Sequence, residues 1–327
     1  MKIAIISFAH MHAVSYAEAV KAIDGVELVG IYDEDVTRGM EMAERFEAAY
    51  VASLPQLLAV EVDAVLICSE NVHHKQHVLE AARAKKHILC EKPLATTVED
   101  AKEMIRICKE EGVQLQTAFP VRYAEPMQQL KLAITDGAIG DIVAMRGTNR
   151  GQNPGGWFVD PVLSGGGAVL DHTVHIVDMM RWIMNEEVAQ VHAEVDTLFT
   201  DEQVDDAGIL TLQFANGVMA THDPSWSRSD AYPAWGDITL EVIGTKGRIY
   251  VDALADHLHL YTNRDDSTYT QVFTGADMDQ RLIEDFVYRI QSGKDVTITG
   301  EDGLQAMSVA LAAYRSAKEK RLVEMEV

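Results

Sequence analysis

The stretch "LSGGGAVLDHTVHIVDMMRW" sets a carboxylate and an imidazole four positions apart, at Asp171 and His175. On a helix, side chains at i and i+4 share a face, so this carboxylate can orient this imidazole. That is how a general base is held and kept basic. The same spacing describes a buried, satisfied His–Asp pair that only holds the fold, and residue types alone leave both readings open. His172 points elsewhere from such a helix, and Asp178 follows His175 by three positions on the same side. Gly165, Gly166 and Gly167 let the backbone approach something closely just before the helix begins.

"CEKPL" is a second candidate. Lys92 stands between Glu91 and Pro93, directly after an apolar run, where a strand end would meet a ligand crevice. The alternative is a lysine that pairs with Glu91 at a turn. The Lys92–Pro93 bond is a candidate cis peptide. Near the N-terminus, Ser7-Phe8-Ala9-His10-Met11-His12 occupies the place where a nucleotide-binding βαβ unit carries Gly-x-Gly-x-x-Gly, and no glycine is present. The free N–H groups of a following helix attract anions whatever the side chains, and His10 or His12 could add a donor or a charge.

Asp33 ends the second apolar run, where a dinucleotide-binding domain puts a carboxylate on the adenosine ribose. Glu34 and Asp35 would strengthen its repulsion of a 2′-phosphate, and a simple helix N-cap explains the same acids. His73 and His77 invite a metal reading, but nothing on their helix face completes a ligand set, and no metal is expected there. Trp157 could roof a substrate, whereas Trp226 and Trp235 suit a core equally well. Arg122 and Arg150 could bind a substrate oxygen or pair with acids.

These residues must be positioned by something. Apolar runs such as "KIAII", "VELVGIY", "VDAVLIC", "HILCE" and "VQLQTAF" alternate with amphipathic ones such as "TRGMEMAERF" and "VEDAKEMIRICKEEG". That pattern predicts an α/β domain with a doubly wound parallel sheet, whose ligands bind at the carboxyl ends of the strands. The loops beginning at Ser7, Asp33, Ser69 and Glu91 are then the ones to watch. Beyond Phe119-Pro120 the strands follow one another with short turns at Asn216-Gly217 and Lys246-Gly247. This predicts an α+β domain with a large, mostly antiparallel open sheet. The expected domains are 1–119 and 120–327. The strand run from Ala207 to Thr274 has more apolar alternation than its helices can cover on both faces, which predicts self-association.

The formal charge of −23 over 327 residues argues against nucleic acid and anionic membranes as partners. Three cysteines, Cys68, Cys90 and Cys108, have no zinc-like spacing and read as buried reduced thiols. With no secretory leader pattern and no membrane-length apolar run, a cytoplasmic protein handling a small molecule is expected.

Glu91-Lys92-Pro93 after the fourth apolar strand and Gly-Gly-Gly-x-x-x-Asp-x-x-x-His at 165–175 together resemble the glucose–fructose oxidoreductase/inositol dehydrogenase (Gfo/Idh/MocA) family. The likeness extends through "SENVHHKQHVLEAARAKKHILCEKPLA", "AIGDIVAMRG" and "DITLEVIGTKGRIYVD", and so covers essentially the whole chain. The resemblance implies a Rossmann domain, a sheet-rich second domain, and NAD(P)-dependent oxidation of sugars, inositols or related polyols. It implies catalytic roles for Lys92, Asp171 and His175. Cofactor contacts are expected from the loop Ser7 to His12, from Asp33, and from Ser69, Asn71, His74, Glu91 and Lys92. Substrate contacts are expected from Lys92, Trp157, Asp171, His172 and His175. Two departures stand out: Ser7, Ala9 and His12 replace the family's usual glycines, and Glu70 stands where a proline is frequent. NAD is expected in preference to NADP, with a homo-oligomer, dimer or tetramer, formed through the second domain's sheet. A glycoside-cleaving enzyme that uses NAD transiently and a non-catalytic sugar or nucleotide sensor are the rival readings.

Overall fold

Strand β1 (Lys2–Ile6) is buried along nearly its whole length, as expected of an inner strand of a covered parallel sheet. The first unit continues through α1 (His12–Ala22), β2 (Glu27–Tyr32), α2 (Val36–Phe46), β3 (Ala49–Tyr50), α3 (Leu54–Ala59), β4 (Ala64–Ile67), α4 (His74–Arg83), β5 (His87–Cys90), α5 (Val98–Glu111) and β6 (Leu115–Thr117). Its helix ends follow local chemistry. Asp35 caps α2 by accepting the Thr37 and Arg38 amides at 3.0 and 3.1 Å. Thr97 caps α5, which Gly112 ends at φ 70°.

The six strands run parallel in the order β3-β2-β1-β4-β5-β6. This is the strand order of a doubly wound dinucleotide-binding sheet. Between β1 and β6 two elements are absent from the sequence reading, β3 and α3. A two-residue edge strand and a six-residue helix are too short to carry a period. Glu91 therefore follows the fifth strand, not the fourth.

After α6 (Glu125–Thr135) come β7 (Ile142–Gly151), α7 (Pro161–Ser164), α8 (Ala168–Met184), β8 (Val188–Asp196), β9 (Ala207–Phe214), β10 (Met219–Asp223), β11 (Gly236–Gly244), β12 (Gly247–Asp252), β13 (His257–Leu260) and β14 (Thr270–Phe273). The chain closes with α9 (Met278–Gln291), α10 (Gly300–Glu319) and β15 (Val323–Glu324). The structure is a computed structural model that describes residues 1–232, 234–254 and 277–325, and the backbone of 257–260 and 270–273. The outer residues of the expected strands "LHLYTN" and "YTQVFT", at 261–263, 269 and 274, lie outside the described residues.

The second sheet has seven strands in the order β12-β11-β7-β10-β9-β8-β15, all antiparallel neighbours except β7 and β10. Helix α8 packs on one face. A Cβ at Gly147 of β7 would lie 2.5 Å from Ile176, so glycine is what lets helix and strand come this close. On the other face Ile209, Met219 and Tyr250 are 57, 59 and 61% exposed. No helix among the described residues is long and apolar enough to cross a membrane.

Packing divides the chain into two units. Residues 162–165 and 279–307 belong with 1–120, and 121–161, 166–278 and 308–327 form the other unit. The late segment joins the first unit at β6. Thr117 donates its amide to Ile298 O at 3.2 Å and its hydroxyl to Thr299 O at 3.1 Å. Leu282, Ile283 and Phe286 of α9 are fully buried.

Candidate active site

The glycine-free loop keeps the turn that a first glycine would make. Ser7 adopts φ 68°, in the left-handed region, at a cost of roughly 1–2 kcal/mol for a non-glycine residue. It is held by its own N–H on Tyr32 O at 2.6 Å and by Arg38 Nη2 on its Oγ at 3.3 Å. Phe8 donates its amide to Asp33 at 2.7 Å, and its ring stacks on Phe46. Ala9 donates to Ser7 Oγ, and His10 donates its amide to Cys68 O. Met11, half exposed, heads α1, whose first turn holds no acid and has no side-chain cap. That helix start is therefore unclaimed by any carboxylate of the helix and suits an anion such as a pyrophosphate.

Asp33 is in place at the end of β2, but its carboxylate is heavily engaged. It accepts the Phe8 and Asp35 amides and a bidentate pair of bonds from Arg38, Nε at 2.8 Å and Nη2 at 2.7 Å. Glu34 points to His77 Nε2 at 2.8 Å. Burial opposes its charge, yet the His77 contact holds its carboxyl below the ordinary value. The charges expected to repel a 2′-phosphate thus have partners of their own. His77 also meets Ser69 Oγ through Nδ1 at 3.0 Å, so both of its nitrogens are engaged away from His73.

His12, at the third glycine's position, leaves the helix–strand contact and reaches to Glu91 beyond β5, Nδ1 to Oε1 at 3.1 Å. His10 Nδ1 lies 3.8 Å from the same oxygen. Glu91 is fully buried. Burial would raise its pKa, but His10, His12 and Lys92 hold it well below the carboxylate range. Its other oxygen accepts the Lys92 amide at 3.0 Å. Lys92 is itself buried, and the Lys92–Pro93 bond is cis, as the sequence suggested. His74 ties this loop to the one after β4, its ring nitrogens 3.0 Å from Pro93 O and 3.1 Å from Ser69 O. Burial lowers its pKa to about 4, so at neutral pH it is uncharged and donates to only one of the two. Asn71 donates to Ser164 O at 2.8 Å.

In the second unit, α8 is buried on almost every side and carries Asp171 and His175 on the expected turn. The carboxylate of Asp171 lies 3.3 Å from His172 Nε2, and His172 Nδ1 faces Pro224 O at 3.0 Å. His172 is thus fixed to the sheet side through Pro224. The start of α8 is set by residues with no local sequence signal. Asp205 accepts the Gly167 and Val169 amides at 3.0 and 2.8 Å, and the Tyr314 hydroxyl at 2.7 Å. Burial nevertheless raises the Asp205 pKa against these bonds.

The close approach promised by the glycines is internal. A Cβ on Gly167 would lie 1.9 Å from Asp205 O, and one on Gly165, at φ 77°, would lie 2.6 Å from Thr96. Trp157 stacks on Phe158 and packs, half-buried, against a cluster that includes the buried Trp226, while Trp235 stays exposed. Arg122 forms a buried pair with Asp178, Nε to Oδ2 at 2.7 Å, and Arg150 turns to Asp237 at 3.4 Å.

Residues 1–119 match the family profile "Oxidoreductase family, NAD-binding Rossmann fold", and residues 127–250 match the GFO/IDH/MocA C-terminal domain. The chain belongs to the GFO/IDH/MocA oxidoreductase family and is a dehydrogenase or reductase of CH–OH groups. It is 34% identical over 338 aligned residues to a myo-inositol 2-dehydrogenase of Thermotoga maritima, covering 100% of this chain and 99% of that one. It is 30% identical to a 1,5-anhydro-D-fructose reductase of Ensifer adhaerens, covering 94% and 93%. The solved structure of GenD2 from gentamicin A biosynthesis, in complex with NAD, superposes with a TM-score of 0.91 at 26% identity, covering 100% and 97%.

Proposed function

We propose that the chain transfers a hydride between NAD and a secondary hydroxyl or ketone of a cyclitol, sugar or related polyol. The reading is carried by a buried lysine on a loop anchored by His74, combined with Asp171 and His175 one turn apart on a buried helix. Full-length similarity to a myo-inositol 2-dehydrogenase supports the polyol class. Bound NAD supplies the hydride acceptor. Ser7 to His12 and the head of α1 receive its pyrophosphate, while Asp33, Ser69, Asn71, His74 and Glu91 shape the rest of its bed. His175 takes the hydroxyl proton on a ring nitrogen, and the negative charge of Asp171 on the same helix favours the resulting imidazolium. Lys92 donates to the substrate oxygen as charge develops on it. Trp157 and His172 flank the substrate.

A panel of myo-inositol, hexoses and their ketones, mixed with NAD or NADH and followed at the NADH absorbance, tests this reading. Turnover of at least one polyol is expected. Glycoside cleavage with no net NADH would replace the reading with the glycoside-cleaving one. NAD binding without turnover of any compound would favour a sensor.

NAD is preferred over NADP. A 2′-phosphate would have to draw Arg38 away from Asp33, leaving a buried carboxylate without its bidentate partner. The expected preference is at least about tenfold, or roughly 1.4 kcal/mol. Asp33→Asn should release Arg38 and shift the ratio toward NADP by a similar factor. Calorimetric titration of both cofactors measures both ratios, and equal affinities in the unmodified chain would overturn the argument.

The chain self-associates through the outer face of the second sheet, where Ile209, Met219 and Tyr250 are exposed together with the Arg146–Glu241–Arg248 ion pairs. Sedimentation at micromolar concentration should give a dimer or tetramer, and Met219→Lys should move it toward monomer. Buried free cysteines fit a reducing, cytoplasmic setting.

A further inference from the structure

We propose that His10, His12 and Glu91 form a binding site for one divalent transition-metal ion of the zinc class, set in the loop that replaces the glycine cradle. One ligand atom from each of the three lies within 4.8 Å of the other two. The three come from two separate loops, the one after β1 and the one after β5, which the parallel pairing of β1 with β4 and β4 with β5 brings to one edge of the sheet.

The geometry fits an ion. Donors 2.0–2.1 Å from a tetrahedral zinc stand about 3.3–3.4 Å apart. Here the His12 and His10 nitrogens lie 3.1 and 3.8 Å from the same Glu91 oxygen, so these two pairs need shifts of only a few tenths of an ångström, while His10 Nδ1 must give up the His12 amide that it accepts at 3.2 Å. The imidazole rings meet at 60° with centroids 4.5 Å apart, so both can turn a nitrogen to a common point.

The donor types agree. Two imidazoles and one carboxylate leave at least one coordination position open, as in sites that exchange a water or a substrate oxygen. The division of labour within Glu91 agrees too. Oε1 serves the histidines while Oε2 accepts the Lys92 amide, which fixes the carboxylate's orientation. The field favours a cation. Once an ion displaces the imidazole protons, the carboxylates of Glu91 and Asp279 against the one ammonium of Lys92 leave this corner net negative. His12 is the first residue of α1, so a phosphate oxygen of a cofactor bound at that helix start could fill the open position; that consequence rests on the reading above, while the metal site does not.

The test uses the full chain, treated with a chelator and then titrated calorimetrically with Zn²⁺ alone, with Co²⁺ as a spectroscopic probe. One ion per chain is expected, together with the visible bands of low-symmetry Co²⁺. His12→Ala, which alters a partly exposed side chain, and Glu91→Gln should each weaken binding by tenfold or more, with folding checked by circular dichroism. Absence of saturable binding, or binding that survives His12→Ala unchanged, overturns the site. NAD is titrated on the metal-free chain in parallel. NAD binding without zinc binding defeats the metal site and leaves the oxidoreductase reading standing. Zinc binding without NAD binding, with or without the metal, does the reverse.

Discussion

Lys92→Ala is expected to lower kcat by about two orders of magnitude or more, with NAD affinity little changed. The substrate oxygen gains negative charge as the carbon changes oxidation state, and a fixed donor at that oxygen is worth roughly 3–4 kcal/mol in the transition state. Lys92 is suited to be that donor because it is buried and its loop has little freedom: its own amide is spent on Glu91, and the Pro93 carbonyl packs against the His74 ring, 3.0 Å from Nδ1. An exposed lysine could be replaced by solvent, whereas a buried one cannot. His175→Ala should have a loss of similar size. Steady-state kinetics on both variants, with cofactor titration and thermal melting alongside, separate the possibilities. If His175 merely completes a packed helix, its variant will lose thermal stability and keep its turnover, and the proposed base must then be sought elsewhere.

Asp178→Ala is expected to destabilise the second unit by about 3–5 kcal/mol, the usual cost of stranding a buried ion. Asp178 is 1% exposed and Arg122 is 6% exposed, so neither charge can turn to water when the other is removed. Their bond is bidentate, with the second contact at 2.5 Å, and the guanidinium lies over the Trp182 ring. The pair spans the short helical turn at Pro120–Tyr123 and helix α8, so its loss should also loosen the helix that bears His175. The double variant Arg122→Met/Asp178→Leu should recover most of the loss, because well-packed apolar groups commonly replace a buried ion pair without penalty. Denaturant unfolding measures both. A single variant within about 1 kcal/mol of the parent would show that water reaches Arg122.

The first sheet was legible because its strands are buried on both faces and carry near-continuous apolar runs, "AVLI" of β4 being the plainest. The two elements missed there are those too short for a period. In the second unit, the turns at Asn216-Gly217 and Lys246-Gly247 marked the hairpins. Nothing in the sequence announced that β10 pairs with β7 in parallel, since that register is settled by strands far apart in the chain. Among the candidate site residues, the types and spacings could be read, but their partners could not. Asp33 carried a local signal, yet the engagement of its carboxylate by Arg38 depends on the first turn of α2. Arg122 was ambiguous until its burial beside Asp178 decided the matter. Asp205 and Tyr314 were invisible because they act on α8 from positions distant in sequence, and only the fold brings them to the Gly167 amide.

The sharing of the first unit between residues 1–120 and 279–307 has a consequence for biosynthesis. The ribosome releases β1 to β6 early, but the groups that finish the edge at β6, Ile298 and Thr299, emerge only after six of the seven strands of the second sheet. Until then Gln116 and Thr117 present an open strand edge, and the apolar surface that later meets Leu282, Ile283 and Phe286 lies bare. The nascent nucleotide-binding half must therefore wait, partly unsealed, through the synthesis of about half the chain, and that interval is when a chaperone or a neighbouring nascent chain has its best opportunity to bind it.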